Sequence, residues 1–377
     1  MKVGVTLFSQ NYTDWDRYDA KKFDQPSEVP DSQIYEEELY LGGLIEPLGY
    51  DSIWTVEHHH TPYTMIPDPT QLLSYFAGRT QRVGMGTMVI VLPWHHPLHV
   101  AERISMLDNF LGGEREFSVG FGRGASMKEF GPLGQPMEES RERFLEALEV
   151  VRAGLTEERF SHDGKYWSFH NTSVRPRPRT ADLTKQMYMA WGSPPSLAIA
   201  ANAGLGMLFI PMKSWDEYAQ DVYDFNSIRE ANGWDPVQPK VVAWVYCSSD
   251  EEEAVAVGRE YMGKYWDSAG RHYGFAEPSA FKDVKGYEHY NQMAEEEARR
   301  RAEENQEYAD TQVYGTPEQC VQKLKEIQRI TNASEFIGVF KYGGLDLERA
   351  EKSMRLFADK VLPEIQGMET APLSTKS

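Results

Sequence analysis

The sequence has few cysteines, few basic residues and no long apolar run, and each shortage excludes a class of protein. Its 377 residues include only two cysteines, Cys247 and Cys320, too few for a disulfide framework or a cysteine metal cluster. The 39 lysines and arginines are outnumbered by 58 acidic residues, which argues against a general nucleic-acid-binding protein because phosphate affinity requires clustered basic side chains. No run reaches the roughly 18 apolar residues of a membrane-spanning helix, and the N-terminal run is too short for a signal peptide. We therefore expect a cytoplasmic protein that binds neither nucleic acid nor membrane.

Short β-rich runs alternate with longer helical patterns along the chain. Several of the runs are apolar throughout, as strands buried on both faces of a parallel sheet are. The predicted strands are 3–8, 52–56, 83–91, 117–121, 187–191, 207–210, 241–246 and 336–340. The predicted helices lie near 33–47, 69–79, 98–111, 138–154, 196–203, 215–231, 251–265, 317–331 and 346–362. Eight βα units predict a (β/α)8 barrel, whereas a doubly wound sheet would show a GxGxxG turn where this chain has LFSQNY.

The predicted barrel takes residues 1–366 as one domain, and two of its segments exceed ordinary connections. Residues 156–180, rich in proline, arginine and aromatic residues, precede the fifth strand. Residues 267–310, which include the charged stretch EEEARRRAEEN, follow the seventh strand. Since insertions at the C-terminal face of a barrel are commonly lids or specificity loops, we interpret 267–310 as a lid; the alternative is a solvated helix that only covers the barrel. The tail at 367–377 is predicted to be disordered.

An acidic residue and three consecutive histidines, Glu57 to His60, follow the second predicted strand. Barrel enzymes gather their catalytic residues at the C-terminal ends of the strands, which favours a functional role here. A zinc site would need further ligands, and the spacing of HHPLH at 95–99 matches no standard motif. We therefore predict no metal, and we expect at least one of the three histidines, with His60 as the first candidate, to have only a structural role at the strand end.

Three stretches, read together and in order, resemble the bacterial luciferase-like flavin-dependent monooxygenases, and within them the luciferase α subunit. They are GYDSIWTVEHHHTP, VGMGTMVIVLPWHHPLHVAERISMLDNFLGGEREFSVGFGRG and KEFGPLGQPMEESRERFLEAL. The resemblance is dense over about residues 40–155 and weaker but in order at 187–210 and 315–363. It implies the luciferase-like form of the barrel and a flavin site at the C-terminal ends of the strands.

The resemblance assigns roles to residues around the flavin ring. It makes His58, the first of the three histidines, the catalytic histidine beside the flavin, and an imidazole can hold or release a proton near neutral pH. It also implies a cis peptide bond between Met88 and Val89 under the isoalloxazine ring. Two positions depart from the luciferase pattern, since its cysteine before the phosphate arginine is Gly122 here and its glutamate near the phosphate turn is Gly192. The resemblance therefore does not extend to light emission.

The flavin phosphate is expected to meet two arginines and a turn that carries hydroxyl groups. Arg123 follows the fourth strand and Arg141 opens the next helix, both at family positions that contact the phosphate. Guanidinium groups bind phosphate oxygens bidentately. The stretch WGSPPSLAIAANAGLG matches the small-hydroxyl turn that leads into a helix in the family. Gly192, Ser193 and Ser196 of this turn are therefore predicted to contact the cofactor, together with backbone N–H groups at the helix N-terminus.

Aromatic residues at the presumed strand ends are candidates for binding the substrate. They are Phe8, Trp54, Trp94 and Trp191. For each of them, packing in the core is an equally open interpretation.

The resemblance implies a two-component monooxygenase that uses FMN as FMNH2. A separate flavin reductase would supply the FMNH2, because the chain shows no second nucleotide-binding domain. O2 would add to the flavin as a C4a-hydroperoxide, which would oxidise a small, largely apolar organic substrate, and we expect the enzyme to be a homodimer. The alternatives are an F420-dependent oxidoreductase of the same barrel family, a non-catalytic flavin-binding protein and, outside the family, a metal-dependent barrel hydrolase.

Overall fold

The alternating strands and helices close into a barrel. The computed structural model describes residues 1–190, 194–274, 284–288, 307–371 and 373. The strands are β1 (Lys2–Leu7), β2 (Ser52–Thr55), β3 (Gly84–Val91), β4 (Phe117–Gly122), β5 (Phe160–Asp163), β6 (Ser168–Thr172), β7 (Met187–Ala190), β8 (Gly206–Phe209), β9 (Lys240–Cys247), β10 (Val313–Gly315) and β11 (Glu335–Val339). The helices are α1 (Trp15–Asp19), α2 (Asp31–Ile45), α3 (Pro69–Ala77), α4 (Pro97–Phe110), α5 (Met127–Phe130), α6 (Ser140–Thr156), α7 (Pro194–Asn202), α8 (Trp215–Ala231), α9 (Glu251–Tyr273), α10 (Pro317–Thr331), α11 (Leu347–Lys360) and α12 (Leu362–Gln366).

Eight strands pair in parallel in the order β1-β2-β3-β4-β7-β8-β9-β11, and β11 pairs back with β1. The predicted (β/α)8 barrel is therefore confirmed. β10 adds to the sheet by pairing with the last residues of β9, and β5 and β6 form a separate antiparallel hairpin. Every residue of β9, KVVAWVYC, is buried, because helices cover the outer face of the barrel and side chains fill its interior.

Local sequence sets the ends of the helices. Asp68 accepts two backbone N–H groups at the start of α3, and Thr316 caps α10 ahead of Pro317. The helix predicted at 251–265 is too short, because α9 continues to Tyr273 and ends at Gly274, whose φ of 76° gives a left-handed cap. This extension carries the last turns of α9 over the mouth of the barrel.

The first predicted insertion is present at the expected place, whereas residues 267–273 of the second belong to α9. Residues 156–180 leave the barrel between α6 and β7 and contain the β5–β6 hairpin. Asp108 of α4 anchors the end of this segment, since it accepts the backbone N–H groups of Arg179 at 2.5 Å and of Thr180 at 2.8 Å. In the second insertion, residues 275–283 and 289–306 lie outside the described part of the chain, so the lid stays a prediction.

Trp54 fills the interior of the barrel at its N-terminal end. Its Nε1 donates to Oγ of Ser52 at 2.8 Å and to Oε1 of Glu335 at 3.0 Å. A glycine in β3 makes room for the indole, because a Cβ on Gly86 would lie 2.2 Å from it. The prediction that Trp54 binds substrate is therefore wrong: the residue points inward, but towards the end of the barrel that lies opposite the C-terminal ends of the strands.

A buried cluster of ion pairs closes the same end of the barrel. Lys240 of β9 is 3% exposed and forms ion pairs with Glu335 of β11 and, at 3.0 Å, with Glu116. Since each buried charge has an opposite charge beside it, the cluster satisfies groups that would otherwise be costly to bury.

The chain after α12 packs against the barrel as far as Ala371. The backbone N–H of Ala371 donates to Oδ1 of Asn332 at 2.8 Å, and the carbonyl of Ala371 accepts from Nδ2 of the same asparagine at 3.0 Å. The predicted disorder is therefore wrong for residues 367–371, while 372 and 374–377 lie outside the described residues. In the part of the chain that is described, no helix combines the length and the apolar character needed to cross a membrane.

Candidate active site

A cavity opens at the C-terminal ends of the strands, and α9 covers it. Seven of the residues predicted from the sequence line it: Phe8, His58, Met88, Val89, Trp94, Arg123 and Ser196. Ser196 is buried in the first turn of α7. The closure of the barrel thus brings together residues that are far apart in the chain. Three further predicted residues, Trp191, Gly192 and Ser193, lie outside the described residues.

One wall of the cavity is formed by β3, where its pairing with β4 changes register between Thr87 and Ile90. The peptide bond between Met88 and Val89 is cis, as the resemblance implied. On β4, a Cβ at Gly122 would lie 2.5 Å from Cγ2 of Val89. A cysteine at this position would displace Val89, which gives a physical reason for this departure from the luciferase pattern. The contacts of Met88 and Val89 with a flavin stay predictions.

Two guanidinium groups converge beside Gly286: Arg123 lines the cavity, and Arg141 is not among its lining residues. Arg123 follows β4 and is only 7% exposed, and Arg141 lies in the first turn of α6. A Cβ on Gly286 would lie 3.4 Å from Nη2 of Arg141 and 3.8 Å from Nη1 of Arg123, so both side chains reach the same backbone segment. Nη1 of Arg123 and Nε of Arg141 are buried and have no hydrogen-bond partner among the described residues. Buried cationic donors of this kind are available to an anionic ligand.

Tyr287 packs against Arg123. Its hydroxyl donates to the carbonyl of Gly124 at 2.7 Å and pairs with Oγ of Ser140 at 2.9 Å. The guanidinium carbon of Arg123 lies 4.9 Å from the centroid of the Tyr287 ring, within the range of a cation–π interaction. Tyr287 was not predicted from the sequence, because no local pattern in residues 267–310 indicates which residue returns to the barrel.

His58 is held by a buried carboxylate. Its Nδ1 lies 3.1 Å from Oε1 of Glu129, which also accepts the backbone N–H of His59 at 2.8 Å. Burial alone would raise the pKa of Glu129, but the attraction of His58 and His272 holds it well below its usual range. Because an ionised carboxylate can only accept, Nδ1 is the protonated nitrogen of His58. Proton exchange is left to Nε2, which lies 3.4 Å from the hydroxyl oxygen of Tyr273.

His272 is wholly buried beside His58. Its Nε2 lies 3.3 Å from the second carboxylate oxygen of Glu129, and its Nδ1 lies 2.8 Å from Oγ1 of Thr61. Burial lowers the pKa of His272 to about 4, so its imidazole is neutral at pH 7. Neither Glu129 nor His272 was predicted from the sequence, although Glu129 lies in the KEFGPLG stretch that carries the resemblance. His58, Glu129 and His272 offer ligand atoms within 4.8 Å of one another, so the predicted absence of a metal stays a prediction for metal analysis to test.

The other two histidines of the motif lie beside the cavity. Glu57 accepts from Nε2 of His59 at 3.1 Å, from Nε2 of His95 at 2.6 Å and from the backbone N–H of Val91 at 2.8 Å. Burial would raise the pKa of Glu57, but the charge of His95 and these hydrogen bonds lower it. His60 is exposed and has a φ of 66°. Neither His59 nor His60 is among the described residues that line the cavity.

Aromatic side chains form a large part of the lining of the cavity. We define the aromatic wall as Phe8, Tyr63, Tyr265, Trp266 and Tyr308. The ring of Tyr308 is stacked on those of Trp266 and Tyr265, with centroids 4.5 Å and 6.1 Å away. Of these residues, only Phe8 was predicted from the sequence. The spacing of 265, 269 and 273 on α9 is a signal that could have indicated it, since residues four apart share one face of a helix.

The four aromatic residues predicted to bind substrate have different positions. Phe8 and Trp94 line the cavity, and Trp94 packs against Phe130 with ring centroids 5.5 Å apart. Nε1 of Trp94 is buried and has no partner among the described residues. Trp54 lies at the other end of the barrel, and Trp191 lies outside the described residues. Substrate binding by Phe8 and Trp94 therefore stays a prediction.

Comparison with known proteins identifies relatives along nearly the whole chain. The family described as luciferase-like monooxygenase matches residues 18–332. The alkanal monooxygenase alpha chain of Photorhabdus luminescens is 25% identical over 353 residues, which cover 90% of this chain and 94% of that protein. The oxygenase component of the flavin-dependent trigonelline monooxygenase of Acinetobacter baylyi is 24% identical over 348 residues, which cover 88% of this chain and 90% of that protein.

A solved structure has the same fold. The crystal structure of monooxygenase RslO1 from Streptomyces bottropensis matches with a TM-score of 0.72 at 26% identity, covering 96% of this chain and 99% of that chain. The family match extends over most of the barrel, and the predicted cavity residues lie within it or close to its ends. The chain therefore belongs to the luciferase-like monooxygenase family and is an oxidoreductase of the flavin-dependent monooxygenase kind.

Proposed function

We propose that this chain is the oxygenase component of a two-component system, which takes FMNH2 from a separate flavin reductase and uses O2 to oxidise a small, largely apolar organic substrate. One observation carries the proposal. Arg123, which lines the cavity together with His58, and Arg141, which reaches the same backbone segment as Arg123, present buried donors that have no partner among the described residues. A single dianionic group is what two such guanidinium groups accommodate.

The residues of the cavity fit FMN. Arg123 and Arg141 would hold the phosphate, and Ser196 would add its hydroxyl at the start of α7. The resemblance adds Gly192 and Ser193 to this phosphate site. Met88, Val89 and Gly122 would form the surface against which the isoalloxazine ring lies, because the missing Cβ of Gly122 keeps that surface open.

The chain's own contribution to the chemistry centres on His58. Reduced FMN, when bound, supplies the electrons that activate O2. Since Glu129 fixes the proton on Nδ1, His58 can take up or release a proton only at Nε2, beside the hydroxyl of Tyr273. We infer that this nitrogen handles the proton that moves when the substrate is oxidised.

The cover of the cavity would keep water from the reaction. α9 places Tyr265, Trp266 and Tyr273 over the opening. Because these aromatic rings exclude water, they strengthen electrostatic interactions within the site. They also suppress the loss of activated oxygen before it reaches the substrate.

The supply of reduced flavin and the assembly of the enzyme belong to the same proposal. The name of the Acinetobacter relative, an oxygenase component, supports a separate reductase for this chain. We also propose that the enzyme is a cytoplasmic homodimer. Light scattering during size-exclusion chromatography would test the dimer, and the mass of a single chain would contradict it.

Anaerobic titration with FMNH2 and with reduced F420 tests the proposed cofactor. We expect FMNH2 to bind more tightly than reduced F420, and we expect the protein to delay the return of oxidised flavin absorbance when O2 is admitted. Binding of reduced F420 without binding of FMNH2 would favour an F420-dependent oxidoreductase. Flavin reoxidation as fast as in free solution would point to a non-catalytic flavin-binding protein.

A further inference from the structure

The aromatic wall presents a series of rings with similar orientation to the cavity. The planes of Phe8 and Tyr265 differ by 28°, those of Tyr265 and Tyr308 by 26°, and those of Tyr308 and Trp266 by 18°. The buried ring of Trp244 supports the wall from behind, with its centroid 4.1 Å from that of Tyr265. Because aromatic rings attract one another in offset stacks, a planar aromatic ligand would extend this series, whereas a flexible aliphatic chain would gain only from burial.

Two members of the aromatic wall, Tyr265 and Tyr308, lie across the barrel from the surface proposed for the flavin ring. Tyr265 and Tyr308 pack on Trp244 of β9. β4, β7 and β8 separate β3 from β9 on one side of the barrel, and β11, β1 and β2 separate them on the other. Tyr265 and Tyr308 thus lie on the side of the mouth opposite the Met88–Val89 peptide, which separates a place for substrate from the place proposed for FMN.

Two hydroxyl groups at this wall have no partner among the described residues. They are the hydroxyl of Tyr308, which is 5% exposed, and Oγ1 of Thr64, which is 1% exposed, and both residues line the cavity. By contrast, the hydroxyls of Tyr63 and Tyr265 bond to each other. Burial raises the pKa of the Tyr308 phenol well above its usual value, so the group keeps its proton and can donate. Buried polar groups in native proteins nearly always have partners, which points to a ligand with a polar atom at this place.

We propose that the substrate is a planar aromatic compound with a polar substituent, stacked against the aromatic wall and hydrogen-bonded to Tyr308 and Thr64. This inference rests on the proposed function and narrows its substrate from small and largely apolar to aromatic with a hydroxyl or carbonyl group. A saturated compound would lose the stacking, and an unsubstituted aromatic compound would leave both hydroxyls unpaired.

The test compares three probes by isothermal titration calorimetry on the enzyme saturated with FMN. 1-Naphthol has both features, naphthalene lacks the hydroxyl, and decahydro-1-naphthol keeps the hydroxyl but lacks the planar ring. We expect 1-naphthol to bind about tenfold more tightly than either of the other two. Equal or weaker binding of 1-naphthol would overturn the proposal, and so would its displacement by excess FMN, which would place the probe in the flavin site.

Two conservative variants assign the preference to the hydroxyl groups. Tyr308→Phe and Thr64→Val remove one hydroxyl each, and we expect each variant to reduce the preference for 1-naphthol over naphthalene to about twofold or less. Tyr223→Phe is the matched control, because Tyr223 is 54% exposed on α8. An undiminished preference in both cavity variants would contradict the assignment.

These measurements distinguish a failure of the aromatic-substrate proposal from a failure of the proposed function on which it rests. If the enzyme binds FMN but shows no preference among the probes, the flavin site stands and the aromatic substrate is rejected. If FMN does not bind, the proposed function itself fails, whatever the probes do.

Discussion

Nδ1 of His58 lies 3.1 Å from Oε1 of Glu129, a carboxylate with no exposed surface. The same oxygen accepts the backbone N–H of His59 at 2.8 Å, so the carboxylate fixes both the imidazole and the chain that carries it. The contact joins the end of β2 to α5, two elements on neighbouring parts of the barrel mouth. As a result, Nδ1 of His58 is held by the carboxylate, and Nε2 is the nitrogen that can exchange a proton.

Replacement of the imidazole should separate cofactor binding from catalysis. We expect His58→Ala to bind FMNH2 with a dissociation constant within about threefold of the wild-type value, because the phosphate contacts remain. Oxygenation of an accepted substrate should fall about a hundredfold or more, the usual contribution of a positioned acid or base. Anaerobic titration and product analysis with a generic flavin reductase measure the two quantities. Unchanged product formation would reject the role of His58.

Glu129 should act as a positioning residue through His58. Glu129→Gln keeps the size of the side chain but removes the charge and one acceptor, so we expect kcat to fall by up to about a hundredfold while KM and flavin affinity stay close to wild type. Glu129→Asp, which retains a carboxylate, should recover part of the loss. The matched control is Glu138→Gln at an exposed position before α6. A variant that loses flavin affinity and kcat in parallel would instead indicate a general disturbance of the site.

The buried His272 should make the protein less stable as the solution becomes acidic. Its pKa is about 4 in the folded protein and 6.5 in an unperturbed histidine, so between these values the unfolded chain takes up a proton that the folded chain does not. Stability should therefore fall by about 2 kcal/mol from pH 7 to pH 5 through this residue. His272→Gln does not titrate, and its free energy of unfolding in urea should fall by that much less over the same interval. Equal losses in both proteins would show that His272 is not buried in neutral form.

The barrel follows from the sequence because its strands are apolar runs bounded by helical patterns. β9 and β11 are recognisable in VVAWVYC and FIGVF, since strands covered on both faces need no polar alternation. The cis bond at Met88, by contrast, has no local signature, and only the family resemblance indicated it.

The direction of a side chain and contacts across the barrel are harder to predict. Trp54 lies near the end of β2, yet its side chain points towards the opposite end of the barrel, because the direction of a side chain depends on strand tilt and register as well as on position. His272 reaches Glu129, and Tyr308 reaches the cavity, from parts of the chain far from the other site residues. Their positions depend on how α9 and the chain before β10 lie over the barrel, which no periodicity in the sequence specifies.

The buried ion pairs at the N-terminal end of the barrel should be important for stability. Lys240→Met leaves Glu335 buried without its cation, and we expect a loss of about 3 to 5 kcal/mol in the free energy of unfolding. Lys165→Met is the matched control: Lys165 pairs with Glu142 at an exposed site, where solvent screens the attraction, and stability should hardly change. Similar melting temperatures for both variants would contradict the assigned importance of the buried cluster.

The binding of reduced FMN and reduced riboflavin, compared under anaerobic conditions, tests the flavin site most directly. The two ligands differ only in the phosphate, for which Arg123 and Arg141 present buried donors. We predict that the wild-type protein binds reduced FMN more tightly than reduced riboflavin. Arg123→Ala and Arg141→Ala should each reduce this preference by about tenfold or more without weakening riboflavin binding. Arg79→Ala, at an exposed position, should leave the preference for FMN unchanged. Equal affinity of the wild-type protein for the two flavins, or an undiminished preference for FMN in Arg123→Ala, would contradict the account.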